Sequence, residues 1–206
     1  VILSSWEKIF GLGEFSVRFP SLIFGILSVY MIFKIGTFMF NKKVGIYSSI
    51  IMALSSINVY YSQEARVYAL LLFLSLCSIY FYLKFIQSNK NRHMVYYILF
   101  TFLMLNTHPP AVFILVFQNI HYLLFVKKNL KKWIFIQFAL FIFFLLLSLT
   151  ALSIVSKVPE YLVVPKPGIV TLLRTFYMFS AGQTFSIEAL VIGSFISIGF
   201  FLLLFL

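Results

Sequence analysis

The sequence predicts an all-α membrane protein, a polytopic bundle of about six to seven membrane helices with further helices lying in the outer interface. Three observations predict this fold. Of the 206 residues, 62% are hydrophobic and 10% are charged, whereas an average soluble domain carries roughly 25% charged residues. The mean hydropathy is +1.05, and so apolar a chain is not a disordered one. Apolar runs of bilayer-spanning length also follow one another, separated by short polar loops.

Apolar runs of about 20 residues, the length that crosses a bilayer, mark the predicted membrane helices in order. Two shorter runs, 95–106 and 111–126, flank Pro109-Pro110. Because proline lacks a backbone donor and clashes with the preceding turn, these runs are predicted to be short helices joined by a bend. A further run begins at Glu188. Four longer runs are each predicted to form one membrane helix: 19–40, 44–61, 67–86 and 133–155.

Charges in the loops predict which side of the membrane each loop faces. Alternation of the spans places residues 41–43, 84–93 and 127–132 on one face. Together with Lys34, this face holds ten of the 16 Lys and Arg residues, and the positive-inside rule makes it cytoplasmic. The formal charge of +11 is then loop charge, so no nucleic-acid partner is predicted.

The acidic residues are concentrated on the opposite, outer face or at its membrane edge. The cytoplasmic loops are equally small and contain none of them. This asymmetry predicts a functional cleft that opens outward, with chance placement in small loops as the alternative. The five acids, all of them glutamates, are Glu7, Glu14, Glu64, Glu160 and Glu188.

The densest polar segment covers residues 60–68, between two apolar spans. On a continuous helix, residues two apart point about 200° away from each other. Glu64 and Arg66 would then need separate partners or a non-helical turn. On that same helix Glu64 shares a face with Tyr68, and Gln63 shares another with Arg66. The alternative is a solvated interfacial turn, since tyrosines at this depth are also expected from the aromatic belt.

Three further features lie on the predicted outer side. Glu14 and Arg18 are four residues apart, a stabilising helical spacing, and their apolar neighbours predict a short helix lying in the interface; the alternative is a plain anchor. His108 lies at the outward tip, where irregular backbone is tolerated only if it is buried in protein or lines an aqueous cavity. In the loop 156–187, apolar spacing predicts a second interfacial helix whose Arg174 suits a lipid phosphate or any anionic headgroup.

Several of these strings resemble the GT-C membrane glycosyltransferases. In particular, they resemble the bacterial and archaeal relatives of the protein O-mannosyltransferases and the lipid A aminoarabinose transferase. The resemblance covers residues 14 to about 126 well. The strings that carry it are Glu14-Phe-Ser-Val-Arg18-Phe-Pro-Ser, Asn41-Lys42-Lys43, Tyr61-Ser-Gln-Glu64-Ala-Arg66-Val-Tyr68 and Thr107-His108.

The resemblance implies an integral-membrane enzyme that moves a sugar from a polyprenyl-phosphate carrier to a protein, lipid or glycan acceptor outside the cytoplasm. It implies a multi-pass protein of the plasma membrane whose partners are that donor, the bilayer and the acceptor. No cofactor is expected beyond the lipid-linked sugar itself. No metal site is predicted, and the need for a divalent metal stays open.

The resemblance also implies an acidic residue, usually Asp, in the first outer loop after the first helix. That position lies upstream of Val1, and the sequence contains no Asp. The chain is therefore expected to be part of one transmembrane domain, without the N-terminal helix, the first outer loop and the C-terminal helices, and to be inactive alone. A second departure is Pro109-Pro110 after His108, where relatives often carry a tyrosine.

The site residues are assigned from this resemblance together with the chemistry of the donor. The leaving phosphate needs charge neutralisation more than protonation, and the acceptor needs a base within hydrogen-bond reach. A single displacement would invert the anomeric centre. Glu64 is predicted to position the acceptor or Arg66, with Glu14 in a lesser supporting role. The predicted substrate-binding residues are Arg66, Gln63, Tyr68, His108, Arg18 and Arg174.

Two other functions are compatible with a polar outer face. A transporter or flippase of lipid-linked glycans should place ionisable groups deep within its spans. The charged residues Lys34 and Lys84 instead lie near cytoplasmic span ends, where they can snorkel, which disfavours transport. A non-catalytic assembly subunit is the other alternative, and the clustered outer acids disfavour it only moderately.

Overall fold

All regular structure in the described part of the chain is helical. The structure is a computed structural model, and it describes Trp6, Gly11, residues 13–155 and Gly168. The described residues form seven α-helices, which are α1 Glu14–Met39, α2 Lys42–Leu54, α3 Ser56–Gln63, α4 Tyr68–Ser88, α5 Asn91–Thr107, α6 Val112–His121 and α7 Leu130–Val155. A 3-10 turn, Pro109–Ala111, precedes α6, and a π turn, Tyr122–Val126, follows it. The predicted all-α class is confirmed.

Helix length and composition make this a membrane bundle. Within the described residues, α1 and α4 are each long and apolar enough to cross a membrane. The pair α2 and α3, bent by 57° at the break between them, gives a third crossing if it is one span. The apolar stretch Val112–Val126 is shorter, as the sequence predicts for a run that follows two prolines.

The run 44–61, predicted as one span, is broken in the structure. Ser55 has extended backbone angles, with φ −62 and ψ 119, and it ends α2 and precedes α3. The Ser55 N–H donates to the carbonyl of Met52 at 3.3 Å, and the Ser55 carbonyl accepts from the N–H of Val59 at 3.0 Å, so Ser55 closes one helix and starts the next. The run 44–61 is therefore not one unbroken helix, although the bent pair together is long and apolar enough for one span.

Residues 14–18 form the first turns of α1, whereas residues 7–10, which belong to the interfacial helix predicted here, lie outside the described residues. Pro20 lies inside α1 and has no N–H to donate to the carbonyl of Ser16. The indole Nε1 of Trp6 donates to that carbonyl at 2.8 Å instead. The Trp6 ring also stacks on Phe19, with 6.0 Å between ring centroids. The freed backbone acceptor thus fixes Trp6 against the start of α1.

Small residues bring the first three helices together. A Cβ atom added to Gly36 would lie 3.0 Å from the Cα of Gly45, so the backbones of α1 and α2 are nearly in contact. A Cβ atom on Gly25 would overlap the side chain of Ser62, so α3 also lies directly on α1. Close approach through small residues is the usual way in which membrane helices associate. These contacts place the end of α3 beside the first half of α1.

Aromatic rings fill the core between α4, α5 and α7. Trp133 is 1% exposed, and its ring stacks on Tyr122 at 4.0 Å and on Tyr97 at 5.7 Å between centroids. Tyr82 and Phe85 of α4 pack in the same cluster. Stacked aromatic pairs contribute beyond their buried area, so this cluster fixes α7 against the hairpin of α4 and α5.

A chain of neutral hydrogen bonds joins these three helices to α6. The hydroxyls of Ser78 and Thr101 lie 2.8 Å apart, and Gln118 Nε2 donates to Ser78 Oγ at 3.1 Å. Tyr97 donates to Gln118 Oε1 at 3.2 Å, and Gln137 Nε2 donates to the Tyr97 hydroxyl at 3.2 Å. One connected set of side chains therefore links α4, α5, α6 and α7 without placing a charge in the bundle.

The helices run back and forth through the bundle, with α2 and α3 following one another in the same general direction, so the bundle has two ends with different charge. At the glutamate end, the rings of Tyr68 and His108 lie 5.8 Å apart, so the start of α4 meets the end of α5. At the lysine end, Lys132 Nζ donates to Asn91 Oδ1 at 2.8 Å, so the start of α7 meets the start of α5. Of the described acids, Glu14 begins α1 and Glu64 follows α3, both at the glutamate end.

Candidate functional site

An open cleft of about 430 Å³ lies at the glutamate end of the bundle. It is formed where the first turns of α1 meet the end of α3 and the turn that follows. Four predicted site residues come together here, and two further residues complete the wall. The lining residues of this glutamate-end cleft are Arg18, Tyr60, Gln63, Glu64, Ala65 and Arg66.

A non-helical turn brings Glu64 and Arg66 to the same side. α3 ends at Gln63, and Glu64 has extended backbone angles of φ −92 and ψ 138. Arg66 Nε lies 3.5 Å from Glu64 Oε2. The sequence offered a turn or separate partners for this pair, and the structure has the turn. The faces predicted for a continuous helix through residues 60–68 do not form, because α4 begins only at Tyr68.

The carboxylate of Glu64 is held on both sides. The hydroxyl of Tyr60, one helical turn earlier, donates to Glu64 Oε1. Glu64 Oε2 is buried and accepts no hydrogen bond from a described residue, so its ion pair with Arg66 is the contact that orients it. The Glu64 side chain is 22% exposed, whereas that of Arg66 is 65% exposed. The acid is therefore enclosed, and its basic partner faces the open cleft.

Side chains of α1 complete this site from the other side. Ser21 Oγ lies 3.5 Å from the carbonyl oxygen of Arg66 and donates to it, which ties the turn to α1. Arg18 forms an ion pair with Glu14 at 2.7 Å. Glu14 does not line the cleft, so its contact with the cleft runs through Arg18. Since this pair is exposed, it orients Arg18 more than it stabilises the fold.

A row of aromatic rings leads from the cleft to His108. Ring centroids are 5.2 Å apart between Tyr60 and Tyr61, 4.8 Å between Tyr61 and Tyr68, and 5.8 Å between Tyr68 and His108. His108 ends α5 in an extended conformation. Its Nδ1 atom is buried, and no described residue hydrogen-bonds to it. The structure thus places Tyr68 and His108 beside the cleft rather than in its wall.

The predicted residue Arg174 lies outside the described residues, as does the interfacial helix predicted around it. The residue Tyr60, in contrast, joins the site without having been predicted. Sequence reasoning treated Tyr60 as part of an aromatic belt and missed its bond to Glu64. The four-residue spacing between Tyr60 and Glu64 was the available signal. Among the residues that the structure describes, no group of three or more His, Cys, Asp or Glu could hold a metal ion.

Comparison with known proteins gives one match. A family model described as dolichyl-phosphate-mannose-protein mannosyltransferase matches residues 2–153. The matched range contains every residue of the glutamate-end cleft and of the aromatic row. Neither a curated protein nor a solved structure matches the chain.

Proposed function

The chain belongs to the dolichyl-phosphate-mannose-protein mannosyltransferase family, which comprises membrane glycosyltransferases of the GT-C type, and from this we propose that its glutamate end binds the donor phosphate. The family implies a polyprenyl-phosphate sugar as donor. The full protein would transfer this sugar to a protein, lipid or glycan acceptor outside the cytoplasm. The observation that carries the proposal is the cleft that Arg18 and Arg66 share.

The donor phosphate is assigned to the two arginines. A polyprenyl phosphate keeps its tail in the bilayer and its phosphate at the interface, which is where a bundle end meets water. Guanidinium groups match phosphate through paired N–H donors. Arg66 uses Nε toward Glu64, and its terminal nitrogens have no ion pair with a described residue. Gln63 supplies a neutral donor in the same wall.

Glu64 is assigned a positioning role rather than that of the base. Tyr60 and Arg66 engage both of its oxygens, so the carboxylate is already held by protein side chains and is not free to turn toward an acceptor hydroxyl. The base would come from the acidic outer-loop residue that the resemblance implies. A single displacement by the acceptor then inverts the anomeric centre, while the arginines neutralise the charge on the leaving phosphate.

The orientation follows from charge and completes the proposal. Ten of the 16 basic residues lie at or near the lysine end, which the positive-inside rule assigns to the cytoplasm. The glutamate-end cleft would then face outward in a multi-pass protein of the plasma membrane. His108 and Tyr68 border the cleft, and we assign them to binding the sugar or the acceptor. Their rings would contact that group through their faces and edges.

The test compares two arginine variants in the full-length protein. Arg66→Gln should lower kcat/KM for a polyprenyl-phosphate sugar by about 100-fold, since a charged hydrogen-bonding partner of the phosphate is lost. Arg92→Gln removes an exposed cation at the other end and should leave transfer unchanged. Turnover is measured in vesicles that contain the donor and an acceptor. Full activity of the Arg66 variant would remove the cleft from the mechanism.

A further inference from the structure

The lysine end carries charges that the described part of the chain does not neutralise. Three helices begin there, and none has an acid in its first turn. Their first turns instead carry Lys42 and Lys43 in α2, Arg92 in α5, and Lys131 and Lys132 in α7. A helix N-terminus is already electropositive, so these cations face a field of their own sign. Both described acids lie at the opposite end.

A cleft of about 480 Å³ opens within this charged surface, at the connection between α6 and α7. A neighbouring cleft of about 240 Å³ shares Asn129 with it. The first is lined by Lys127, Asn129, Leu130, Lys131 and Lys132. The second adds Lys128 at its rim and Phe85, Ile86 and Val126 on its apolar floor. Together they form the lysine-end cleft, cationic at the water side and apolar beneath.

The connection that forms this cleft is held in place by the bundle. The hydroxyl of Tyr122 donates to the carbonyl of Lys128. Lys132 Nζ donates to Asn91 Oδ1 at 2.8 Å. Asn129 accepts from the backbone N–H of Trp133 at 3.1 Å through its carbonyl. The four lysines are therefore concentrated by the fold, and the cost of bringing like charges together is met before any ligand binds.

The helix surfaces beside the cleft are apolar and exposed. Phe125, at the end of the π turn, is 75% exposed, and Phe135 of α7 is 74% exposed. Leu124 and Ile134 extend the same surfaces. A headgroup bound in the cleft would thus have exposed apolar protein surface next to it, against which hydrocarbon chains can pack. A free phosphate or a nucleotide has no use for such surface, whereas the acyl chains of a lipid do.

We infer that the lysine-end cleft binds the headgroup of an anionic phospholipid, whose phosphate lies among Lys127, Lys128, Lys131 and Lys132 and whose acyl chains run along the exposed apolar surfaces of the π turn and α7. Charge complementarity selects an acidic headgroup over a zwitterionic one. The site is separate from the glutamate-end cleft, so it stands or falls independently of sugar transfer.

The experiment measures melting temperature of the full-length protein in nanodiscs. One set contains phosphatidylcholine alone, and the other contains equal parts phosphatidylcholine and phosphatidylglycerol. The wild-type protein should melt at a higher temperature with phosphatidylglycerol. The double variant Lys127→Gln/Lys131→Gln should lose more than half of that increment. The matched variant Lys42→Gln/Lys43→Gln removes the same charge from α2, outside the cleft, and should keep most of it.

Three results would overturn the inference. An equal melting temperature in both lipid sets would show no preference for an acidic headgroup. Equal losses in the two double variants would show a diffuse charged surface without a site. The same increment from inorganic phosphate in phosphatidylcholine alone would show a free-anion site. If the double variant in the cleft does not fold, the single variants Lys131→Gln and Lys43→Gln are compared in the same way, with the same outcomes.

Discussion

At the scale of single residues, Tyr60 is the side chain whose role the sequence conceals. It is one of three tyrosines in a nine-residue polar segment, and the aromatic belt accounts for all three equally well. Only the structure shows that α3 continues through Tyr60 to Gln63, so that the four-residue spacing to Glu64 becomes a hydrogen bond. By contrast, Glu64 and Arg66 stood out because a charged pair between apolar runs is rare.

Tyr60→Phe tests whether the held carboxylate serves the cleft. Without the hydroxyl, Glu64 turns more freely and orients Arg66 less well. We expect KM for the donor to rise about tenfold, the usual effect of losing one hydrogen bond to a charged group, with a smaller change in kcat. Steady-state kinetics of the full-length protein measure both. Tyr47→Phe, at an exposed tyrosine of α2, is the control; an unchanged KM in the Tyr60 variant would show that the hydrogen bond from Tyr60 to Glu64 does not serve donor binding.

At the scale of elements, hydropathy located the helices well and their interruptions poorly. The runs 67–86 and 133–155 agree with α4 and α7 within a few residues. The break at Ser55 was missed because serine is tolerated inside membrane helices. The close contact of α3 with α1 at Gly25 and Ser62 is a tertiary contact, and hydropathy along the chain does not show it. The join of residues 14–18 to α1 was missed because hydropathy begins the span at residue 19, after the charged residues Glu14 and Arg18. Hydropathy also does not show that Trp6 satisfies the backbone acceptor that Pro20 frees.

Gly45→Ala tests the close contact between α1 and α2. The added methyl group would lie 2.8 Å from the carbonyl oxygen of Phe33 and 3.0 Å from the backbone nitrogen of Thr37, so the helices must separate. We expect a loss of about 1–3 kcal/mol in the free energy of unfolding, as for other overpacked sites. Denaturation in detergent measures it. Gly13→Ala, where an added Cβ atom meets nothing within 4 Å, should cost less; equal losses would contradict close packing.

At the scale of the whole molecule, loop charge predicted two unlike ends, and the structure assembles them. The sequence could not predict what links the helices between those ends. Hydropathy treats Gln118, Thr101 and Gln137 as isolated polar residues in apolar runs. Their pairing depends on which faces of α5, α6 and α7 meet, and that is set by packing. The result is a neutral network across four helices, where a transporter would place ionisable groups.

Gln118→Leu tests the contribution of that network to the bundle. The substitution leaves Ser78 paired with Thr101 but removes the acceptor of the Tyr97 hydroxyl. We expect a loss of about 1–2 kcal/mol in the free energy of unfolding, typical of hydrogen bonds between membrane helices. Gln87→Leu, at an exposed position near the end of α4, is the control. A Gln118 variant as stable as the wild-type protein would show that aromatic packing alone fixes the four helices.

The two tryptophans of the chain give it an optical reporter at each end. Trp6 lies against the first turns of α1. Its indole donates a hydrogen bond to the carbonyl of Ser16, two residues before Arg18 of the glutamate-end cleft. Trp133 is enclosed at the start of α7, with its indole bonded to Asn119 Oδ1 at 3.0 Å. Intrinsic emission can therefore be resolved into two signals by replacing one indole at a time. Events at the glutamate end and at the lysine end can then be followed separately in the same molecule, without an attached dye.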